Sequence, residues 1–286
     1  MIYLSHFFFP SREREYGYLM SELRTCYDSF YPFRVLSEHD FDTLEPDQVT
    51  ILCGGNGSGK STALNVIAET LQLERDTLYN RSNFFDDYTQ MCDYRLNGAI
   101  PEGSRVITSD DVFDYMLNLR TINQGIDDKR EDLLNEYLDI KYSDFKFKTL
   151  DDYEMLKKTN LARRTTQSKY VRKNMMDNIR EHSNGESAFK YFVNKIDTQG
   201  LILLDEPENS LSCERQEELA EYIENSARFN GSQFIIASHS PFILSIKGAK
   251  VYDMDENPVC VKKWTEVGNV RRYYDFFNKH GKEFNV

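Results

Sequence analysis

The sequence predicts an α/β fold with a mostly parallel core sheet, an antiparallel β part at the N-terminus and a helical subdomain inserted into the core. Three observations predict it. Val49-Thr50-Ile51-Leu52-Cys53 is an apolar run leading into a glycine-rich loop, and Leu64, Ile67, Ala68 and Leu71 follow at helical spacing. In the second half, Gly200-Leu201-Ile202-Leu203-Leu204 and Gln233-Phe234-Ile235-Ile236-Ala237 are further apolar runs, separated by a helical pattern with Leu219, Tyr222 and Ile223 on one face. Strand, helix, strand in that order implies a right-handed crossover and a parallel sheet, and unbroken apolar runs suit strands covered on both faces. Between these halves, from Asp127 to about Arg180, the pattern is helical and heavily charged. The expected organisation is one domain over 1–286, with a helical insert at about 110–182 and a β-hairpin plus helix at about 250–286.

Taken in order, Ile2 to Phe9 and Phe33 to Leu36 read as strands rich in aromatic and branched residues. Tyr31 or Phe33 could offer a ring to a nucleotide base, although rings in such a region also suit a core. Glu45-Pro46-Asp47 then turns the chain into the strand that precedes Gly54-Gly55-Asn56-Gly57-Ser58-Gly59-Lys60-Ser61. This octapeptide fits G-x-x-x-x-G-K-[ST], with a strand before it and a helix after it. Its glycines let backbone N–H groups point into a cup, and the following helix adds the positive end of its dipole. Lys60 is expected to reach terminal phosphates, Ser61 to offer its hydroxyl to Mg²⁺, and Thr62 to complete the nucleotide-binding stretch. Many unrelated functions use such a site.

After the Ser61 to Leu73 helix, Glu74 to Gly103 reads as polar and irregular. Arg105 to Ser109 reads as a short strand, and Ser109 or Asp110 can cap a helix running towards Leu119. Within the charged insert, Met155 to Glu181 carries a local charge of about +6 in a protein whose formal net charge is −12. Arg163, Arg164, Lys169, Arg172 and Lys173 form the centre of this patch. A basic helical face can bind DNA or RNA phosphates, bind an acidic protein, or simply be solvated. The net charge argues against a surface that binds nucleic acid or anionic membrane everywhere, so any such contact must be local.

Five cysteines lie far apart with no C-x-x-C pair, which points to free thiols in a reducing cytoplasm. The first ten residues lack a basic leader, and no stretch approaches the roughly 20 apolar residues of a membrane span. The expectation is a soluble chain without direct membrane insertion.

The second parallel strand ends in Asp205-Glu206 and the third in Ser238-His239-Ser240-Pro241. Both clusters should therefore emerge at the sheet edge that carries the phosphate loop. Nucleotide hydrolysis needs a metal on the terminal phosphates, a group to orient the attacking water, and positive charge on the departing phosphoryl. Asp205 suits the metal, through its second shell, and Glu206 can polarise the water. His239 is placed either to contact the γ-phosphate or to hold the water. Two adjacent acids after a strand also suit an ordinary turn, and a histidine there also suits a structural role. Val251 to Met254 and Val259 to Lys263, around Asp255-Glu256-Asn257-Pro258, read as a terminal hairpin.

Leu201 to Pro207 resembles the Walker B motif of ABC-type ATPases, followed by a D-loop at Asn209-Ser210-Leu211-Ser212 and a switch histidine at His239. The place of that family's signature, usually L-S-G-G-Q, is held by His182-Ser183-Asn184-Gly185-Glu186. The chain most resembles stand-alone bacterial ABC-type ATPases with an S-x-G-E-S signature, in the DNA-repair, chromosome-maintenance and phage-defence branch. The resemblance implies a P-loop NTPase fold of ABC type, ATP and Mg²⁺ as cofactors, and an ATP-dependent homodimer. In it, Ser183, Asn184, Gly185 and Glu186 would act on the nucleotide held by the other subunit's loop. Asn184 departs from the usual glycine and Glu186 from the usual glutamine, and Asn tolerates the left-handed backbone better than most residues. No glutamine can be assigned to the family's Q-loop: Gln90 and Gln124 lie off the Arg105 to Ser109 strand, and Ser109-Asp110 stands where that loop should begin.

Four functions follow from these residues. The first is an ATPase acting on nucleic acid or with a nuclease partner, and only about 120 residues between Ser61 and Ser183 leave no room for long coiled-coil arms. The second is the ATP-binding subunit of a transporter. A nucleotide-sensing regulator of a toxin or nuclease is the third. The fourth, a small-molecule kinase, leaves the Asp-Glu-Pro cluster and His239 unexplained.

Overall fold

The computed structural model describes residues 1–24, 26–143, 153–175 and 184–284. Two compact units divide the chain: 1–113 with 184–286, and 114–183. The first unit holds two sheets. Strands β1 (Leu4–Phe8), β2 (Thr43–Leu44), β3 (Val49–Cys53), β4 (Asp93–Leu96), β5 (Arg105–Thr108), β6 (Leu201–Asp205), β7 (Gln233–Ala237), β8 (Lys250–Asp253) and β9 (Cys260–Lys262) form them. The smaller sheet is antiparallel with order β2-β1-β4, and the larger has order β5-β6-β7-β3-β8-β9. In the larger sheet the first five strands pair in parallel, and the β8-β9 hairpin is antiparallel.

The chemistry of these runs explains the layers. All five residues of β3 and of β7 are buried, as expected of central parallel strands. Helix α2 (Lys60–Thr70) buries Ala63, Leu64, Val66, Ile67 and Ala68, an apolar face wide enough to lie on the sheet. It ends at Thr70, three residues short of the expected Leu73, and Gln72 just beyond takes the left-handed backbone (φ 53°). One buried polar side chain ties the sheets together. Gln233 accepts at Oε1 from the amides of Tyr3 (2.8 Å) and Leu4 (2.9 Å), and its Nε2 donates to the carbonyls of Leu4 (2.9 Å) and Asp47 (3.2 Å).

Two expectations need correction. Phe33 to Leu36 is not a strand: the segment turns through local bonds, Phe33 N to Phe30 O (3.0 Å) and Val35 N to Pro32 O (3.2 Å), with Arg34 left-handed at φ 70°. Phe33 and Leu36 are both buried in the core, at the i, i+3 spacing of a turn rather than the alternation of a strand. Glu74 to Gly103 is not wholly irregular, because it holds helix α3 (Phe85–Gln90) and edge strand β4. All four β4 residues are exposed, so no apolar alternation announces it.

Helix α1 (Arg12–Ser21) follows β1, and α4 (Ser109–Tyr142) starts directly from β5 and runs well past Leu119. In the second unit, Tyr137, Ile140, Ala162 and Tyr170 form a small core shared by α4, α5 (Tyr153–Arg164) and α6 (Gln167–Asn174). Back in the first unit come α7 (Asn184–Ile196), α8 (Cys213–Asn225), α9 (Pro241–Leu244), α10 (Gly268–Lys279) and α11 (Gly281–Phe284). Among the described residues no helix is long and apolar enough to cross a membrane.

Candidate active site

Three parallel strands end side by side. Ala237 of β7 is paired with Leu52 of β3 on one side and Asp205 of β6 on the other. The residues just beyond these ends are the glycine-rich loop, Glu206, and Ser238-His239, so one sheet edge collects the chemistry.

The loop depends on its glycines at two positions. Gly57 and Gly59 have φ of 85° and 90°, and a Cβ on Gly59 would sit 3.0 Å from Leu36 Cδ2 and 3.2 Å from Val35 Cγ1. That close approach packs the loop onto the turn that carries Tyr31. The Lys60 ammonium spans the loop, donating to the carbonyls of Gly54 and Gly55 at 2.8 Å each. Gly55 N donates to Asp255 Oδ1 (2.8 Å), which fixes the loop to the turn of the β8-β9 hairpin. Ser58 Oγ is buried with no hydrogen-bond partner.

Ser61 Oγ donates to Asp205 Oδ1 at 2.9 Å, bringing the loop and the β6 end together. Burial drives the Asp205 carboxyl up to about 6; the Ser61 hydrogen bond opposes this, and the charge of Glu206 adds to it. Glu206 itself holds a left-handed backbone (φ 49°), an uncommon conformation for a residue with a Cβ and one that recurs at functional sites. Its amide donates to Ala237 O (2.9 Å) and its Oε2 accepts from Asn209 Nδ2 (2.8 Å).

A cavity of about 420 Å³ is lined by Tyr31 and Val35, by Asn56, Gly57, Gly59, Lys60, Ser61 and Thr62, and by Glu206. Tyr31 is thus the ring beside the loop, with its hydroxyl 3.1 Å from Thr62 Oγ1, whereas Phe33 lies in the core. A second cavity, of about 300 Å³, lies against Gly54, Gly55 and Asn56 and includes His239, Asp255, Asn269 and Arg272.

Glu208, which carries no role in the expectations above, accepts at Oε1 from Ser238 Oγ (2.8 Å) and from His239 N (2.7 Å) and faces His239 Nδ1 at 3.2 Å. The Asp-Glu-Pro-Glu spelling was the one available signal. Asp255 was equally hidden, since its partner is 200 residues away.

Of the four proposed signature residues, Ser183 lies outside the described residues. Asn184 opens α7, and Gly185 lies beside the D-loop stretch, where an added Cβ would be 3.9 Å from Ser210 O. Glu186 pairs with Lys190 at 3.2 Å. At the β5-α4 junction, Thr108 N and Oγ1 donate to Asp111 Oδ2 (2.6 and 3.0 Å), and no glutamine stands there. In the helical unit Arg163, Arg164, Lys169 and Arg172 are exposed, and Lys173 lies in α6. Arg163 Nη2 donates to Ser143 O (3.1 Å).

A phosphate loop between a buried strand and a helix, with a carboxylate of the neighbouring strand on its serine, defines a P-loop nucleoside triphosphatase. A family model described as "ABC transporter" matches residues 40–209, more than half of the chain, and the chain belongs to that family of ATP-binding, ATP-hydrolysing proteins. A second model, "AAA domain, putative AbiEii toxin, Type IV TA system", matches 178–245. No curated protein matches the chain. Among solved structures, the Smc head domain with an extended coiled coil bound to the C-terminal domain of ScpA, from Pyrococcus furiosus, is 13% identical. It covers 83% of this chain and 94% of its own, with a TM-score of 0.39. The ATP-binding cassette MJ0796 bound to ADP and Pi is 13% identical over 78% of this chain and 88% of its own, with a TM-score of 0.35.

Proposed function

We propose that this chain is a nucleotide-driven clamp, in which ATP held by residues 54–62 joins two copies and its hydrolysis lets them part. One observation carries this reading: the Ser61–Asp205 contact of 2.9 Å, with Glu206 lining the same cavity as the loop. Lys60 and the loop amides bind the phosphates, Tyr31 stacks on the base, Glu206 polarises the attacking water, and His239 acts beside the γ-phosphate. The donor set also fits Mg²⁺: a hydroxyl and a desolvated carboxylate are hard oxygen ligands, and a cation would relieve the burial that raises Asp205. Ser61 and Asp205 would hold the ion, which when bound supplies neutralising charge at the terminal phosphates. The remaining contacts come from the other copy through Ser183, Asn184, Gly185 and Glu186, the last three in the first turn of α7, where N–H groups favour an anion.

Glu206→Gln tests the site directly. Binding of a fluorescent ATP analogue should persist while hydrolysis falls by about 10²–10⁴-fold, the usual worth of a positioned general base. Undiminished hydrolysis would overturn the assignment.

The output we propose is on nucleic acid, either directly or through a nuclease or effector protein. The exposed Arg163, Arg164, Lys169 and Arg172 in an otherwise acidic chain support it. A transporter role is the second reading, favoured by the description of the matching family and opposed by the β5-α4 junction, which offers no glutamine to a transmission loop.

A further inference from the structure

We infer that Glu208 is the positioning residue of His239: it holds the imidazole with the proton on Nδ1 and thereby makes Nε2 a hydrogen-bond acceptor for the attacking water. The inference rests on the reading of His239 given above and, with the ring neutral, assigns it to the water rather than the phosphate.

The geometry is specific. The Glu208 side chain is 4% exposed, and its Oε1 receives Ser238 Oγ (2.8 Å) and His239 N (2.7 Å) while His239 Nδ1 faces it at 3.2 Å. A backbone N–H can only donate, so Oε1 is an acceptor at this point. The ring nitrogen facing the same oxygen must then carry a hydrogen. In a neutral imidazole the other nitrogen is left with its lone pair, so Nε2 accepts. A phosphate oxygen offers no hydrogen to such an atom, whereas a water does.

The surroundings hold this arrangement in place. Ser238 Oγ, having donated to Glu208, accepts from Ser240 N (3.1 Å). Ser240 Oγ donates to Gln216 Oε1 (2.7 Å), and Gln216 Nε2 donates to the carbonyls of Leu211 (3.0 Å) and Glu208 (3.3 Å). The network therefore closes on itself between the Pro207–Ser210 turn and the segment after β7. Glu208 Oε2 is buried without a hydrogen-bond partner, which costs folding free energy and gains nothing for packing. His239 keeps 39% of its side chain exposed and lines the cavity against Gly54, Gly55 and Asn56, so the ring borders the phosphate loop while its Nδ1 edge is fixed from behind.

Nitrogen NMR of histidine-labelled protein tests this, with His239 assigned among the five histidines by loss of its signals in His239→Gln. The wild-type ring should show Nδ1 protonated and Nε2 bare. Glu208→Ala should mix the tautomers and lower kcat by about 10²-fold or more with KM for ATP unchanged, since a positioned base is worth that much. Glu208→Gln keeps an acceptor at Oε1 and should restore both the tautomer and most of the rate. A wild-type ring protonated on Nε2, as the other tautomer or as the imidazolium, overturns the inference whether or not any variant folds. So does a Glu208→Ala chain with wild-type kcat. Glu206→Gln in the same assay reads the site itself: if it still hydrolyses ATP, the site assignment fails, a result separate from the tautomer.

Discussion

At Asp205, burial and function pull in opposite directions. The folded chain holds this carboxyl at about 6 against an ordinary value of 3.8, so the folded state keeps the proton longer than the unfolded one. Its contribution to stability is therefore complete below about 4 and is lost as pH rises through 6, a difference of about 3 kcal/mol. Binding of Mg²⁺ needs the ionised form, so affinity for Mg-ATP should rise with pH through about 6, measurable by titration calorimetry. Asp205→Asn should stabilise the free chain at pH 8 by up to about 3 kcal/mol in denaturant unfolding while abolishing the Mg²⁺ dependence of nucleotide binding. At Tyr31 the ring, rather than the hydroxyl, is expected to matter. Stacking is worth about 1–3 kcal/mol per base, so Tyr31→Ala should raise KM for ATP about tenfold and Tyr31→Phe should leave it near wild type in steady-state assays.

Elements place these residues, and their placement was unevenly legible. Strands β3, β6 and β7 and the loop could be read because buried parallel strands are unbroken apolar runs and because Gly-Lys-Ser after such a run has a mechanism attached. The turn at Phe33 to Leu36 misled because its rings face the core at helical rather than alternating spacing, and β4 was silent because its side chains face water. Glu208 and Asp255 were out of reach for another reason: each acts on a segment distant in sequence, and no local pattern encodes such a pairing. The join between the sheets is of the same kind. Gln233→Leu would leave the amides of Tyr3 and Leu4 without their acceptor, and should cost about 2–6 kcal/mol in denaturant unfolding, since each orphaned buried group costs about 1–3 kcal/mol. In the loop, Gly59→Ala would place a methyl 3.0 Å from Leu36 on a left-handed backbone, and should abolish nucleotide binding in the same fluorescence assay.

At the scale of the whole molecule, the proposed clamp makes the local nucleotide site a joint between copies. Arg163, Arg164, Lys169 and Arg172 are exposed in a chain of net charge −12. Changing Arg163, Arg164, Lys169 and Arg172 together to Ala should weaken the salt-dependent shift of labelled DNA or RNA while ATP hydrolysis in its absence stays at the wild-type rate. In this clamp ATP itself joins the two copies. Sedimentation velocity of Glu206→Gln tests it most directly: the chain should run as a monomer without nucleotide and as a dimer at saturating Mg-ATP. A chain that stays monomeric while fully loaded with Mg-ATP would contradict the account.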